Sequence, residues 1–194
     1  GGYGCNLGCG DTTDNCAKAA GTGAATGDNG GVYVYNQYDA ANVTVDNAYS
    51  ASGDGIRVYN APTATSVSVT VNGNVTGNGT GIYVNNDGTE GVTITATNAA
   101  GTSQINGQSN DGIYVYNEFG GAVSVSANNV YGYDDGVYVY NSTDGTSVSV
   151  TTTGTVTSAY GTGINVENSG TEGVTVNATN ADGTASVTGY YYGI

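Results

Sequence analysis

The sequence predicts an all-β chain wound into a right-handed parallel β-helix, a β-solenoid. Three observations carry that expectation. Six segments open with nearly the same words: GVYVYN at Gly31, GIRVYN at Gly55, GIYVNN at Gly81, GIYVYN at Gly112, GVYVYN at Gly136 and GINVEN at Gly163. Between these openings lie short runs in which apolar and polar residues strictly alternate, the period of a strand with one buried face. No stretch has helical spacing behind a good cap.

The opening glycines, with Gly193 at the C-terminal Gly-Ile, are 24, 26, 31, 24, 27 and 30 residues apart. The first three intervals and the last three each total 81 residues. A short repeat is therefore nested in a superrepeat spanning 31–111 and 112–192, and residues 193–194 start a further rung. Self-similarity at roughly 20–50 residues marks solenoids, propellers or arrays. Residues 1–30 read as a degenerate first rung, a cap or a contact segment. There GGYGCN fits the frame, with Asn6 at the sixth position and Gly2 and Gly4 where other copies carry aliphatics.

Each copy repeats the same order of elements. The GIYVYN phrase is the first strand. A turn rich in Asp, Gly and Thr follows. The second strand is the alternating run, as in SVSVTV at residues 66–71, VTITA at 92–96, VSVSA at 123–127, SVSV at 147–150 and VTVNA at 174–178. The third is a short piece centred on Val75, Ile105, Val130, Val156 or Val187, and a Gly, Asp or Asn corner closes the copy. Three short strands are too few for a four-stranded propeller blade and suit one rung of a triangular coil. About seven rungs at ~4.8 Å would stack to roughly 34 Å. The right hand follows from the handedness of parallel crossovers. One rung buries about five aliphatics, worth ~10 kcal/mol gross. Ordering its residues costs more, at ~1–2 kcal/mol each. Stability must therefore be shared between neighbouring rungs.

Strand alternation assigns the faces. In GIYVYN the second, fourth and sixth residues share one side, and small aliphatics such as Ile82 and Val84 fit a narrow interior. The sixth residue is then an inward amide in every copy: Asn36, Asn60, Asn86, Asn117, Asn141 and Asn168. A buried amide needs partners. Identical amides stacked in register bond to one another along the axis. The opposite side carries a tyrosine stripe: Tyr33, Tyr35, Tyr59, Tyr83, Tyr114, Tyr116, Tyr138 and Tyr140, interrupted by Arg57, Asn85, Asn165 and Glu167. It is a candidate interaction face, and β propensity with rung-to-rung stacking explains it as well. A second stripe is hydroxylated: Ser68 and Thr70, Thr93 and Thr95, Ser124 and Ser126, Ser149 and Thr151.

Composition excludes much chemistry. The chain has no His, only 2 basic residues against 16 acidic ones, and a net charge of −14. Imidazole-based triads and metal sites are ruled out, and so is an electrostatic grip on nucleic acid or anionic membrane. No apolar run approaches the ~20 residues of a membrane span. Without an initiator Met the sequence reads as a processed chain or a fragment. Oxygen-rich corners at Asp11, Asp14, Asp54, Asp111, Asp134 and Asp135 are conceivable Ca²⁺ ligands. No recognised calcium loop frames them, and solvated turns are the expectation. No other cofactor is expected. Asp39 and Glu118, and Glu90 and Glu172, recur as repeat copies rather than as a unique catalytic pair, so no enzyme activity is expected.

GIYVNNDGTEGVTITATN and GINVENSGTEGVTVNATN, with their copies from Gly31 to Ile194, resemble the passenger repeats of bacterial autotransporter adhesins. The resemblance implies an extracellular β-helical stalk at the bacterial cell surface, serving adhesion, aggregation or matrix building. It covers no C-terminal membrane barrel, and the three cysteines of residues 1–30 stand outside it. In a secreted chain Cys5, Cys9 and Cys16 favour a disulfide. Three is an odd number, which leaves a local bridge with one free thiol, an intermolecular bond, or a metal site lacking a fourth ligand. The expected function is structural: a fibre subunit or adhesin stalk that stacks end to end, with itself as first partner and a surface glycan or protein as second. A flat-face glycan- or ice-binding module is the alternative, and a polysaccharide lyase or hydrolase the more distant one.

Overall fold

The computed structural model describes residues 5–9, 19–27, 30–180 and 183–194; the side chains of 5–9, 19–24 and 27 fall outside that description. Cys16 and the side chains of Cys5 and Cys9 thus lie outside the described residues.

Among the described residues every strand pairing is parallel, and the strands form three faces of a β-solenoid of about six turns rather than the expected seven. The first face stacks Cys5–Cys9, Gly30–Asn36, Asp54–Asn60, Ile82–Asn86, Ile113–Asn117, Val137–Asn141 and Ile164–Asn168. The second stacks the first half of Asp39–Ser50 with Ala64–Val71, Val92–Ala96, Val123–Ala127, Val148–Thr152 and Val174–Ala178. The third stacks the second half of Asp39–Ser50 with Val75–Gly77, Gln104–Gly107, Asn129–Gly132, Thr155–Ser158 and Ser186–Thr188. Ala19–Gly27 pairs along both halves of Asp39–Ser50.

Residues pair with their copies in the neighbouring rung, Ile113 with Ile82 and Val137 and Asn117 with Asn86 and Asn141. The interior is a single stack of Val, Ile and Ala, with two aliphatics from each first-face strand between Gly30 and Asn141 and two or three from each second-face strand between Asp39 and Thr152. One aliphatic per rung comes from the third face: Ala48, Val75, Ile105, Val130 or Val156. At Gly55, Gly81, Gly112, Gly136 and Gly163 the opening glycine leaves room for the third-face aliphatic, whereas at Gly31 a Cβ would meet the Gly55 and Tyr49 backbone. A Cβ built on Gly81 would meet Ile105 Cγ2 at 2.7 Å, and one on Gly136 would meet Val156 Cγ1 at 2.6 Å.

One register expectation is corrected. Cys5, Leu7 and Cys9 pair with Val32, Val34 and Asn36, while Asn6 pairs with Tyr33. The first strand is offset by three residues from the frame read in GGYGCN, so Cys9 holds the ladder position, not Asn6. The pairing brings Leu7, the one large aliphatic of the segment, into register with the core residue Val34.

Candidate functional site

The inward amides form the ladder expected of them. Asn36 Nδ2 donates to Asn60 Oδ1, Asn60 to Asn86, Asn86 to Asn117, Asn117 to Asn141 and Asn141 to Asn168, at 2.6–2.8 Å. All donors point toward the C-terminal end. The second Nδ2 proton closes the following turn, as in Asn86 to Glu90 O at 2.6 Å and Asn117 to Gly120 O at 2.9 Å. Asn36, Asn86, Asn117 and Asn141 are 0% exposed. The ladder therefore ties the corner between the first two faces to the core and leaves its own donors satisfied.

The tyrosine stripe is two ranks. Tyr33, Arg57, Tyr83, Tyr114, Tyr138 and Asn165 share one register position; Tyr35, Tyr59, Asn85, Tyr116, Tyr140 and Glu167 share the other. Three pairs of rings consecutive in a rank stack. The centroids of Tyr83 and Tyr114 are 5.0 Å apart with planes 3° from parallel, those of Tyr114 and Tyr138 are 5.1 Å apart, and those of Tyr116 and Tyr140 are 4.8 Å apart. Arg57 substitutes for a ring. Its guanidinium lies 4.8 Å from the Tyr83 centroid and 5.7 Å from Tyr59, and it is paired to Asp54. Burial works against its charge, but Asp54 outweighs that and holds its pKa above the ordinary value. Burial first, then the Tyr59 and Tyr114 neighbours, pushes the Tyr83 phenol up to about 12. Tyr138 is pushed up to about 12 by burial and by Glu167, and Tyr116 to about 12 by its hydrogen bond to Glu118. These hydroxyls stay protonated at any physiological pH. The face is uncharged along most of its length, a row of ring edges and hydroxyls.

The hydroxyl stripe is on the outer side of the second face, where Ser68, Thr93, Ser124 and Ser149 form one rank and Thr70, Thr95, Ser126 and Thr151 the other. A further aromatic column was not anticipated from the sequence. Tyr133, Tyr160 and Tyr190 stack on the corner before the first face, with centroids 4.6 and 6.0 Å apart. A signal was there to read, since each stands three residues before an opening glycine, at Gly136, Gly163 and Gly193.

The corner carboxylates are not all solvated turns. Asp54 is 4% exposed and accepts the Thr80 N–H at 2.8 Å. Asp111 accepts the Asp135 N–H at 2.9 Å, and Asp135 accepts that of Thr162 at 2.6 Å. Each Asp thus caps the backbone one rung onward. Asn47, Asn74 and Asn129 do the same at the corner before the third face, accepting from Asn74, Gln104 and Thr155. Among the described residues no group of three or more His, Cys, Asp or Glu side chains could hold a metal ion. No helix among them is long and apolar enough to cross a membrane.

Asp111 has a consequence for pH. Burial, reinforced by Asp135 and Asp134, pushes its pKa up to about 6. The native state therefore holds a proton that the unfolded chain has released between about pH 4 and pH 6, so stability falls as pH rises through that window. Asp111→Asn keeps the Oδ1 acceptor and removes the titration. Its unfolding free energy is expected to lose this negative slope in denaturant titrations between pH 4 and 7, and an unchanged slope would assign the titration elsewhere.

The rung of Ile164–Asn168 and Val174–Ala178 is less covered than those before it. Val174 is 47% exposed, whereas its counterparts Val67, Val92, Val123 and Val148 are each 1% exposed. A cleft of about 360 Å³ lies there, lined by Ile164, Val166, Val174, Val176, Tyr192 and Ile194. An in-register parallel stack and an internal amide ladder are the features of a β-helical repeat protein. The chain is a parallel β-solenoid. No family model, curated protein or solved structure matches it. This β-solenoid presents a tyrosine face and a hydroxyl face.

Proposed function

We propose that this β-solenoid is an extracellular structural protein, the shaft of a fibre or adhesin stalk, and that it associates end to end. The in-register repeat supports the reading, because every rung pairs in parallel with a near-identical neighbour and a rung of one chain offers the same template to a rung of another. An unpaired parallel edge is a template for another strand. A head-to-tail contact at such an end is heterologous and propagates as a filament. The polarity of the amide ladder favours that sense, because a tail-to-tail contact brings donor against donor at Asn168. The likeness of the repeats to autotransporter passenger repeats supports the cell-surface setting. The two tyrosine ranks suit lateral contacts between shafts.

Sedimentation velocity over a concentration series, with negative-stain imaging, tests the assembly. One chain of about six turns is roughly 29 Å long at ~4.8 Å per rung. The wild-type protein is expected to form rods at multiples of that length. Val174→Asp places a charge where the isolated chain already exposes the side chain, so the fold is retained and the rods are expected to shorten to single units. Single units of wild-type protein at high concentration would overturn the reading.

A further inference from the structure

Five rings of the first face form one unbroken line of contacts. Arg57 takes the place of a ring in the first rank, and Tyr59 of the second rank bridges the interruption. Centroid separations are 6.1 Å from Tyr33 to Tyr59, 5.6 Å from Tyr59 to Tyr83, 5.0 Å from Tyr83 to Tyr114 and 5.1 Å from Tyr114 to Tyr138. All five rings are partly buried, so a small solute reaches each of them to a similar degree. The line stops at Tyr138, whose next neighbour in the rank is Asn165. Tyr116 and Tyr140 form a separate stack beside it.

The two ends of the line differ in charge and in proton acceptors. The Arg57 guanidinium lies against Tyr59 and Tyr83. Asp111 and Glu167 place negative charge near Tyr114 and Tyr138. The Tyr138 hydroxyl donates to Glu167 Oε1 at 3.3 Å. Among the described residues it is the one ring of the five whose hydroxyl is hydrogen-bonded to a carboxylate. Tyr83 and Tyr138 are both pushed up to about 12, so neither starts as a phenolate. Taking an electron from a neutral phenol makes its proton strongly acidic. Oxidation is therefore easiest where a base already holds that proton.

We propose that this line of rings is an electron relay, which collects one-electron oxidising equivalents along the first face and delivers them to the Tyr138–Glu167 pair. The substrate class is a small one-electron oxidant. The oxidant takes one electron from any ring of the line, and the phenolic proton leaves to water. An electron from the next ring toward Tyr138 then reduces the oxidised ring, which takes a proton back from water. Tunnelling falls off steeply with distance, and rings in contact exchange electrons readily. Positive Arg57 disfavours an electron hole at Tyr59 and Tyr83, and the carboxylates favour it at Tyr114 and Tyr138. The last electron leaves Tyr138 and its proton passes to Glu167 Oε1, which gives a neutral tyrosyl radical and a carboxylic acid. A small one-electron reductant restores the pair: it supplies the electron, and Glu167 returns the proton.

The test exposes the whole protein to azidyl radicals, made by pulse radiolysis of azide, with a nitroso spin trap present. Each azidyl radical takes one electron and becomes azide, and the dose is kept below one hit per chain. Trapped tyrosines are located by peptide mass spectrometry. The adduct is expected to concentrate at Tyr138 over Tyr33, Tyr59 and Tyr83. Tyr114→Phe keeps a ring in the stack and removes the oxidisable phenol. It is expected to return adduct to Tyr59 and Tyr83 and to lose most of it at Tyr138, while the Tyr140 adduct, outside the line, is unchanged. Glu167→Gln keeps a hydrogen-bond acceptor but no base, and is expected to spread the adduct along the line. A wild-type distribution with no preference for Tyr138, or either variant leaving the distribution unchanged, would overturn the relay. The relay runs within a single chain, so it stands or falls separately from the assembly reading.

Discussion

Asn117→Ala is expected to lower the unfolding free energy by about 3–5 kcal/mol, measured by chemical denaturation. The residue is 0% exposed and sits in the middle of the ladder. Removing its amide strands Asn86 Nδ2, which loses its acceptor at 2.6 Å, and Asn141 Oδ1, which loses its donor at 2.7 Å. The Gly120 carbonyl loses its partner as well. Each buried group left unsatisfied costs ~1–3 kcal/mol. The same substitution at Asn168 is expected to cost less than about 1 kcal/mol. That amide is the last rung of the ladder, partly exposed, and water replaces what is lost. The comparison is the test, since equal costs at the two sites would show that the amides do not act as a chain.

Gly112→Ala is expected to be as damaging, by about 3 kcal/mol or more. A Cβ there would lie 2.6 Å from the Gly136 carbonyl oxygen and 2.7 Å from that of Tyr131, with Val130 also in the way. Two of those neighbours are backbone held in the parallel ladder and have no side-chain torsion to release. Overpacking a well-filled core ordinarily costs ~1–3 kcal/mol, and a backbone contact raises it. Gly173 is the control. Nothing lies within 4 Å of its Cβ position, and its φ is not in the left-handed region. Gly173→Ala is expected to be neutral or stabilising by about 0.5 kcal/mol through the unfolded chain. A Gly112→Ala protein as stable as Gly173→Ala would mean that the rungs slide apart easily, which the hydrogen-bond ladder argues against.

The architecture was legible because it rests on two short-range signals. Period-two alternation places Ile82 and Val84 inside and Tyr83 outside whatever the neighbouring rung does. The recurrence of Asn at the sixth position then implies stacking of like on like. The division of the tyrosine stripe into two ranks was also implicit in that alternation. Two features were less accessible. The register of Cys5–Cys9 escaped because GGYGCN imitates the opening phrase, whereas Leu7 pairs with Val34. The Asp54, Asp111 and Asp135 caps looked like ordinary turn residues because their partners, Thr80, Asp135 and Thr162, are 24–27 residues away.

The sequence by itself determined the strand content, the inward and outward faces, the amide ladder and the repeat length, since each is written within one copy and echoed in the next. The tertiary structure alone decided what crosses between copies. It set which carboxylate caps which amide, why a glycine opens the first-face strands from Gly55 to Gly163, and where Arg57 inserts among the rings. The physical reason is that a β-solenoid converts sequence intervals into vertical neighbours. A difference of one or two residues between rungs leaves every local pattern intact, yet changes which atoms meet across the corner.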